Sequence, residues 1–168
     1  GDSGETRVVI LTAVEVSASV DTIFTFAVAG VASGQAVNGE TTTGVTSSTS
    51  IPFGELTGGS ATTSAQQLTV NTNASNGYVV TVQTDGDLES TTGGVIDGFV
   101  DGSESDTPST WAAPGGDVNL ANEWGHWGFT SDDATTTREA GDEFDPNEFA
   151  AASTTPRVVM SHDGPANG

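Results

Sequence analysis

The sequence predicts an all-β protein, either an antiparallel β-sandwich or a jelly roll, with long acidic loops and at most one short helix. Thr, Ser, Gly, Val and Ala dominate, whereas Leu and the long helix-forming residues are scarce, a composition typical of strands and turns. Short stretches that alternate apolar and polar residues are separated by Gly- and Asn-rich segments, as in chains of short strands. The 168 residues contain no cysteine, so packing, hydrogen bonds or assembly must stabilise a single domain without disulfides.

The first predicted strand, Thr6–Val20, changes character near Val14. From Val14 onward apolar and polar residues alternate, the pattern of a half-buried strand. Before Val14 both faces are apolar, and such a strand needs cover on both sides. We therefore divide the chain into an N-terminal arm, residues 1–14, and a sandwich domain, residues 15–168. The arm lies either in the centre of its own sandwich or in a groove of a neighbouring molecule, and its candidate donor-strand residues are Val8, Val9, Ile10, Leu11, Thr12, Ala13 and Val14.

The segments that follow carry weaker strand patterns. Thr22–Val28, where two phenylalanines alternate, predicts a second strand. Residues 32–39 are predicted as a loop, and Thr41–Ser50 predicts an edge strand with one wet face. Three apolar residues after it are predicted to enter the core: Ile51, Phe53 and Leu56.

The clearest local pattern is a hairpin formed by Gln67–Thr72 and Tyr78–Thr84. Apolar residues alternate along both arms, and Asn76-Gly77 supplies the positive-φ residues that a tight turn requires. Asn73 begins an Asn-Ala-Ser glycosylation acceptor pattern on this exposed turn. The use of that pattern depends on the host, so an ordinary turn is the favoured interpretation.

The second half of the chain is predicted to be loop-rich. Residues 85–116 form an acidic, Gly-rich stretch with a short apolar interruption. Glu123–Thr130 predicts a strand with bulky side chains, and Asp145–Glu148 predicts the start of a helix of one or two turns. Pro156–Ser161 predicts a short strand, and residues 162–168 a turn without a strand after it.

The charge balance excludes several partners. The net charge is -20, and the only bases are Arg7, Arg138 and Arg157, so nucleic acid and anionic membranes are poor partners. No stretch of about 18 apolar residues predicts insertion of the mature chain into a membrane. The first residue is Gly1 rather than Met, which favours removal of an export leader and an extracellular or cell-surface location.

Acidic residues form one candidate ion site. Asp85, Asp87 and Glu89 alternate in a Gly-containing loop, and hard oxygen ligands at alternating positions can converge on Ca²⁺. Full EF-hand spacing is absent, so solvated loop acids are the favoured interpretation. No other cofactor is expected. The candidate Ca²⁺ ligands are Asp85, Asp87, Glu89, Asp97 and Asp101.

Motifs for catalysis are weak, and we expect no enzyme. Gly1–Gly4 has the same four residues as the nucleophile segment of trypsin-like proteases, but it lies at a terminus without a plausible triad around it. His126 and His162 are the only histidines, so no triad is indicated. The carboxylates are too many to single out a glycosidase pair. Three tryptophans could form a sugar-stacking platform, although large aromatic residues more often fill cores: Trp111, Trp124 and Trp127.

Several stretches resemble a group of secreted bacterial β-sandwich surface proteins. The most specific stretch is Ala65–Val82, and the others are Phe24–Val31, Ile51–Leu56, Trp124–Asp132 and Pro156–Gly168. In similar chains the sequence continues into a closing hairpin, whereas this one stops at Gly168. The resemblance therefore implies an incomplete sandwich, similar to filament subunits joined by donor-strand complementation. It implies no catalytic residue.

We therefore expect a structural subunit of an extracellular, pilus-like filament, of the kind that builds biofilms, which polymerises noncovalently and head to tail with copies of itself. The arm is the expected donor strand. The expected acceptor groove, left where a closing strand is missing, lies beside Arg157, Val158, Val159, Met160 and Ser161. The alternative is a monomeric cell-surface adhesin or carbohydrate-binding module that binds glycans through the three tryptophans.

Overall fold

Strands and turns make up the described part of the protein. The computed structural model describes residues 19–99, 107–114, 125–133 and 144–168, and these ranges contain no helix. The all-β prediction is confirmed. The strands are β1 Phe24–Gly30, β2 Ala36–Val37, β3 Glu40–Thr41, β4 Gln66–Thr72, β5 Tyr78–Val82, β6 Leu88–Glu89, β7 Val95–Gly98, β8 Ser109–Thr110, β9 His126–Phe129, β10 Glu148–Ala151, β11 Arg157–His162 and β12 Ala166–Asn167.

The strands form several small sheets with a sandwich-like, largely antiparallel character. One sheet has the order β1-β4-β12, another β6-β7-β9-β10-β8, and two pairs are β11-β5 and β2-β3. Only β7 and β9 pair in parallel among these. Residues 1–18 lie outside the described ranges, so the division of the chain at residue 14 stays a prediction.

The core is drawn from strands of three sheets. β4 contributes Val70, which is 0% exposed, and β11 contributes Val158 and Val159. β10 ends in small apolar residues, and Ala150, Ala151 and the following Ala152 are buried. Small residues allow this central strand to pack closely against its neighbours, as shown by Gly128, where an added Cβ would lie 2.5 Å from the carbonyl oxygen of Ala150.

The two strands of the predicted hairpin are present, but they do not pair with each other. β4 pairs with β1 and β12, while β5 pairs with β11. The turn between them carries the chain from one sheet to another. Alternation specifies which face of each strand is buried but not which strand lies beside it. The prediction of the two strands is therefore confirmed, whereas the prediction that they pair with each other was wrong.

The predicted helix near residue 145 is also wrong. Glu148 donates its backbone N–H to the carbonyl of Asp145 at 2.9 Å, which closes a turn rather than a helix. Asn147 has φ +66, outside the helical region. The apolar residues that follow form β10, which lies between β9 and β8. Burial inside a sheet therefore outweighs the helix-start pattern.

Other local predictions were corrected in part. Thr41–Ser50 forms no long strand; it contains only the last residue of β3 and an isolated bridge between Ser47 and Ser50. Ile51 and Leu56, predicted for the core, are 43% and 46% exposed. The turn predicted after residue 162 does lead into a short strand, β12, which pairs with β4.

Within the described ranges, no helix is long and apolar enough to cross a membrane.

Tyr78, on β5, gives a spectroscopic test of the β5-β11 region. Its ring stacks on His162 with centroids 6.3 Å apart. Burial and then the nearby charge of Asp133 raise the pKa of Tyr78 above its ordinary value of 10.0, because both oppose the phenolate. The neutral phenol thus contributes to stability below about pH 10, and this contribution is lost as the pH rises through the folded-state pKa.

Because Tyr78 is the only tyrosine, absorbance near 295 nm follows its ionisation alone. We expect a midpoint above 10 in the folded protein. Asp133→Asn should lower that midpoint but leave it above the ordinary pKa of tyrosine, since burial is the larger cause of the raised pKa. Asp132→Asn, at an exposed neighbour, is the matched control and should leave the midpoint in place. A wild-type midpoint at or below 10 would contradict the structure.

Candidate assembly site

The outer edge of β1 is open in the described part of the chain. β1 pairs with β4 along its whole length, with Phe26 opposite Val70, and no other described strand pairs with it. Just before β1, Asn73 donates its backbone N–H to the carbonyl of Ile23 at 3.4 Å. In an antiparallel ladder such pairs alternate, so the backbone groups of Phe24, Phe26 and Val28 point away from β4. No described strand pairs with these outward donors and acceptors.

The hydrogen bonds on the other side of β4 support this assignment. Val70, opposite Phe26, accepts a bond from the N–H of Gly168 at 3.1 Å. Its carbonyl thus points toward β12 and away from β1. By the same alternation, Phe26 turns its own backbone groups outward.

The side chains of this edge leave an apolar face uncovered. Phe24, Phe26 and Val28 lie opposite Thr72, Val70 and Leu68, so they share the face that is buried on β4. Yet Phe24 is 56% exposed and Phe26 47% exposed, whereas Val70 is 0% exposed. Core residues therefore cover this face of β4 but not the same face of β1. The adjoining Ile23 and Val20 are 62% and 82% exposed, which extends the same apolar surface.

The far end of the edge is closed. At the end of β1, Thr46 donates its N–H to the carbonyl of Val31 at 3.0 Å. The Thr46 hydroxyl accepts the N–H of Val31 at 2.8 Å. Gly30 lies so close to this segment that a Cβ there would lie 2.7 Å from the Cα of Ser47. The open stretch therefore runs from Phe24 to Val28. We call Phe24–Val28 with its uncovered face the β1 edge.

The near end of the β1 edge is fixed by the side chain of Asn73. Its Oδ1 accepts the N–H of Ile23 at 2.7 Å, and its Nδ2 donates to the carbonyl of Asp21 at 2.8 Å. The hydroxyl of Thr72 also donates to the carbonyl of Ile23 at 2.9 Å. These contacts bind the backbone that precedes β1 to the turn between β4 and β5. We call them the Asn73 clamp.

The same contacts bear on the glycosylation pattern at Asn73. A glycan would be attached to Nδ2, the atom that donates to Asp21. The side chain is exposed but engaged at both ends. The structure thus gives the Asn73 side chain two hydrogen bonds to the chain that precedes β1, and glycosylation at Asn73 stays a prediction.

The predicted acceptor region on β11 has contacts on both of its edges. One edge pairs with β5. On the other side Ser161 donates its N–H to Oδ2 of Asp133 at 2.9 Å, and the Ser131 hydroxyl donates to the carbonyl of Val159. Arg157, Val158, Val159 and Ser161 are buried and Met160 is half-buried. The acceptor proposed below is therefore placed at the β1 edge.

A second strand, β5, also lacks a further strand partner among the described residues. Tyr78 and Val80 are half-buried, and Val79 and Val82 are 44% and 38% exposed, so its exposed side chains are smaller and less exposed than the two phenylalanines of β1. Beyond its end, Thr84 donates its N–H to the carbonyl of Ser153 at 2.9 Å. β5 therefore leaves less apolar surface for a partner than the β1 edge.

The described acids of the predicted Ca²⁺ site do not converge. Asp85, Asp87 and Glu89 are exposed, and Asp97 on β7 lies in register with His126. Asp101 lies outside the described residues. Within the described ranges no three His, Cys, Asp or Glu residues are grouped closely enough to hold a metal ion.

The tryptophans within the described ranges take part in packing. Trp111 stacks on Phe99, with ring centroids 4.8 Å apart and planes at 10°, and Phe99 is 1% exposed. His126 meets the Trp111 ring edge-on at 4.7 Å, and its Nε2 donates to the carbonyl of Ala112 at 2.6 Å. Trp127 is half-buried, and Trp124 lies outside the described residues. One face of Trp111 is thus already covered.

The predicted donor residues Val8–Val14 lie outside the described residues. Sequence reasoning missed the β1 edge itself because an alternating strand looks the same in a covered sheet and an open one. One signal was available. Natural proteins protect an exposed edge with charged residues or Pro, and Phe24–Gly30 contains neither.

Comparison with protein-family models, with curated proteins and with solved structures found no match.

Proposed function

We propose that this protein is a structural subunit that polymerises noncovalently, head to tail, into an extracellular filament. Each subunit donates Val8–Val14 as a strand to the β1 edge of the next. The observation that carries the proposal is the β1 edge itself, where backbone groups that no other described strand pairs lie beside an exposed apolar face. No catalytic step is part of the proposal.

A donated strand supplies what the β1 edge lacks. Its backbone can bond the outward groups of Phe24, Phe26 and Val28, while alternate side chains cover the two phenyl rings. The arm offers apolar residues on both of its faces. One face can therefore pack on the β1 edge and the other against a neighbouring surface, which agrees with the need for cover on both sides.

The free energy of burying the two phenylalanines can be compared with the free-energy cost of association. A phenylalanine buries roughly 150 Å² or more, so completing the cover of two half-exposed rings removes on the order of 150–200 Å² from water. At about 25 cal/mol per Å² this is about 4–5 kcal/mol. Association costs roughly 4–15 kcal/mol. The phenylalanines alone do not suffice, so the apolar residues of the donor must also be buried.

The charge of the chain fits a contact of this kind. With a net charge of -20, copies repel one another over most of their surface. The β1 edge carries no charged side chain, so it is a place where two copies can approach without bringing like charges together. Added salt should therefore strengthen assembly, since screening weakens the repulsion and leaves apolar burial intact.

Phe26→Asp tests the proposal. A carboxylate on the apolar face should reduce the polymer mass at least roughly tenfold, because the donor would have to bury an unpaired charge. Phe26 is half-exposed, so the subunit itself should stay folded by circular dichroism. Polymer is measured by sedimentation and electron microscopy.

Val45→Asp is the matched control, since Val45 is 59% exposed and lies outside the β1 edge. It should polymerise as the wild type does. Equal polymer from Phe26→Asp and the wild type would exclude the β1 edge as the acceptor. A wild-type protein that stays monomeric under all salt conditions would refute polymerisation altogether.

A further inference from the structure

We infer that the protein cleaves its own backbone between Asp145 and Pro146, with the Asp145 carboxylate as the nucleophile and Asn38 as a donor to the reacting carbonyl. Two hydrogen bonds that converge on the carbonyl of Asp145 carry this inference. The chain contains a single Asp-Pro bond, so the reaction is one cleavage per molecule and not enzymatic turnover. The activity is independent of polymerisation, and either proposal can fail without the other.

The carbonyl oxygen of Asp145 accepts hydrogen bonds from two separate parts of the chain. The backbone N–H of Glu148 donates at 2.9 Å, and Nδ2 of Asn38 donates at 3.0 Å. Donors at such distances stabilise the negative charge that a carbonyl oxygen gains when a nucleophile adds to its carbon. The carbonyl of the Asp145–Pro146 bond therefore has the surroundings of an oxyanion hole.

The Asn38 side chain is held in place for this contact. Its Nδ2 carries two hydrogens, and it donates both to the carbonyl of Asp145 and to the hydroxyl of Thr130, which directly follows β9. The backbone carbonyl of Asn38 accepts the N–H of Asn147 at 2.9 Å. Asn38 has φ +44, as a residue in the tight turn between β2 and β3 requires. The donor is thus oriented before the reaction begins.

The side chain of Asp145 and water both have access to the bond. Asp145, Pro146 and Asn147 are exposed, so the Asp145 side chain can rotate toward its own carbonyl carbon without disturbing the core. Pro146 at the second position and Asn147, with φ +66, at the third form the turn that Glu148 closes. Because nucleophile and carbonyl belong to one residue, no entropy is lost in bringing them together.

The reaction consumes only one water molecule. A carboxylate oxygen of Asp145 bonds to the carbonyl carbon of the same residue, which closes a cyclic anhydride as the bond to the nitrogen of Pro146 breaks. That nitrogen takes up a proton from water and leaves as a secondary amine. Water then opens the anhydride, and the final products carry two carboxylates on Asp145 and a protonated amine on Pro146.

Strand pairs should keep the two products together after cleavage. The shorter product, residues 146–168, contains β10, β11 and β12, which pair with strands of the longer product. It also carries buried core side chains, including Phe149 and Val158. We therefore expect the cleaved protein to stay folded and to separate into residues 1–145 and 146–168 only on denaturation.

The test compares the folded chain with the same chain unfolded in urea, at one fixed and mildly acidic pH at which circular dichroism shows the urea-free protein to be folded. Asp-Pro bonds hydrolyse slowly in any chain, so the unfolded rate gives the contribution of the sequence alone. The two fragments are measured by mass spectrometry after denaturation. Because the donors are in place only in the folded state, it should cleave at least roughly tenfold faster. Equal rates in the two states would overturn the inference, whatever any variant does.

Two substitutions assign the roles of the residues. Asn38→Gly removes the donor but tolerates the positive φ, so the variant should fold and cleave roughly tenfold more slowly than the folded wild type. Asp145→Asn should yield no fragments, because the nucleophile is lost. Asn76→Gly, at the other Asn-Gly sequence of the chain, is the matched control and should keep the wild-type rate. A folded Asn38→Gly with the wild-type rate, or fragments from Asp145→Asn, would contradict the inference.

Discussion

Removal of residues 1–14 is expected to abolish filament growth. Without Val8–Val14 no subunit carries a donor strand, so each β1 edge stays open and nothing links one copy to the next. The open edge should also lower the stability of the subunit, because two phenylalanines and several backbone groups keep contact with water. Sedimentation should show subunits that do not extend, and circular dichroism should show that they are folded but less stable than subunits in the filament.

A peptide added in trans distinguishes loss of the donor from damage to the fold. A synthetic peptide of residues 6–16 should bind the truncated subunit, raise its melting temperature and leave it as a capped monomer. The same peptide with Asp at positions 8 and 10 should have no effect, since it would place charge against the apolar face. A truncated protein that still forms filaments would show that the arm is not the donor.

Gly77→Ala should be the most damaging single substitution in the turn between β4 and β5. Gly77 has φ +68, a conformation that costs an L-residue roughly 1–2 kcal/mol. A Cβ there would also overlap the carbonyl oxygen of His162 and lie 2.7 Å from the nitrogen of Gly164. Both obstacles are backbone atoms, which cannot rotate away. We expect a loss of about 3 kcal/mol or more, and a melting temperature lower by roughly 6–12 °C.

Gly59→Ala separates the two causes. Gly59 has a similar φ of +78, but nothing lies within 4 Å of its Cβ position. It should therefore show only the conformational cost, about 1 kcal/mol. Melting is followed by circular dichroism in subunits held as monomers by Phe26→Asp. Equal losses at the two glycines would contradict the close approach of β11 to the turn.

The sequence predicts the strands of this protein better than their partners. Gln67–Thr72 and Tyr78–Thr84 were expected as strands, and β4 and β5 lie there. Their alternation reports one buried face and one wet face, which is a local property. Pairing depends on residues far along the chain, such as Ile23 at Asn73 and Arg157 at Val82. A local turn signal therefore could not show that the chain crosses to another sheet.

The helix that was expected near Asp145 illustrates the same limit. An acid, a Pro and a second acid in the right order favour a helix start, but the alanines that follow are buried in a sheet. Alanine is a strong helix former in isolation. At this position its small size fits a crowded central strand, and packing decides the outcome.

The candidate assembly site could likewise be predicted from the sequence only in part. The two-sided apolar pattern of the arm is visible in the sequence, and it motivated the donor hypothesis. The position of the open edge is not, because exposure of Phe24 and Phe26 depends on which elements fail to cover them. The Asn73 clamp was hidden for another reason: its glycosylation pattern drew attention to the turn but gave no indication that the amide binds Asp21 and Ile23.

Cross-linking between two single-cysteine variants tests the central claim most directly. One protein carries Ile10→Cys in the arm, and the other carries a cysteine on the apolar face of the β1 edge, at Phe24, Phe26 or Val28 in turn. The account predicts a disulfide-linked heterodimer with one of these three positions on mixing and mild oxidation, and none with Val45→Cys. Absence of a heterodimer at all three positions, in protein that forms filaments, would contradict strand donation to the β1 edge.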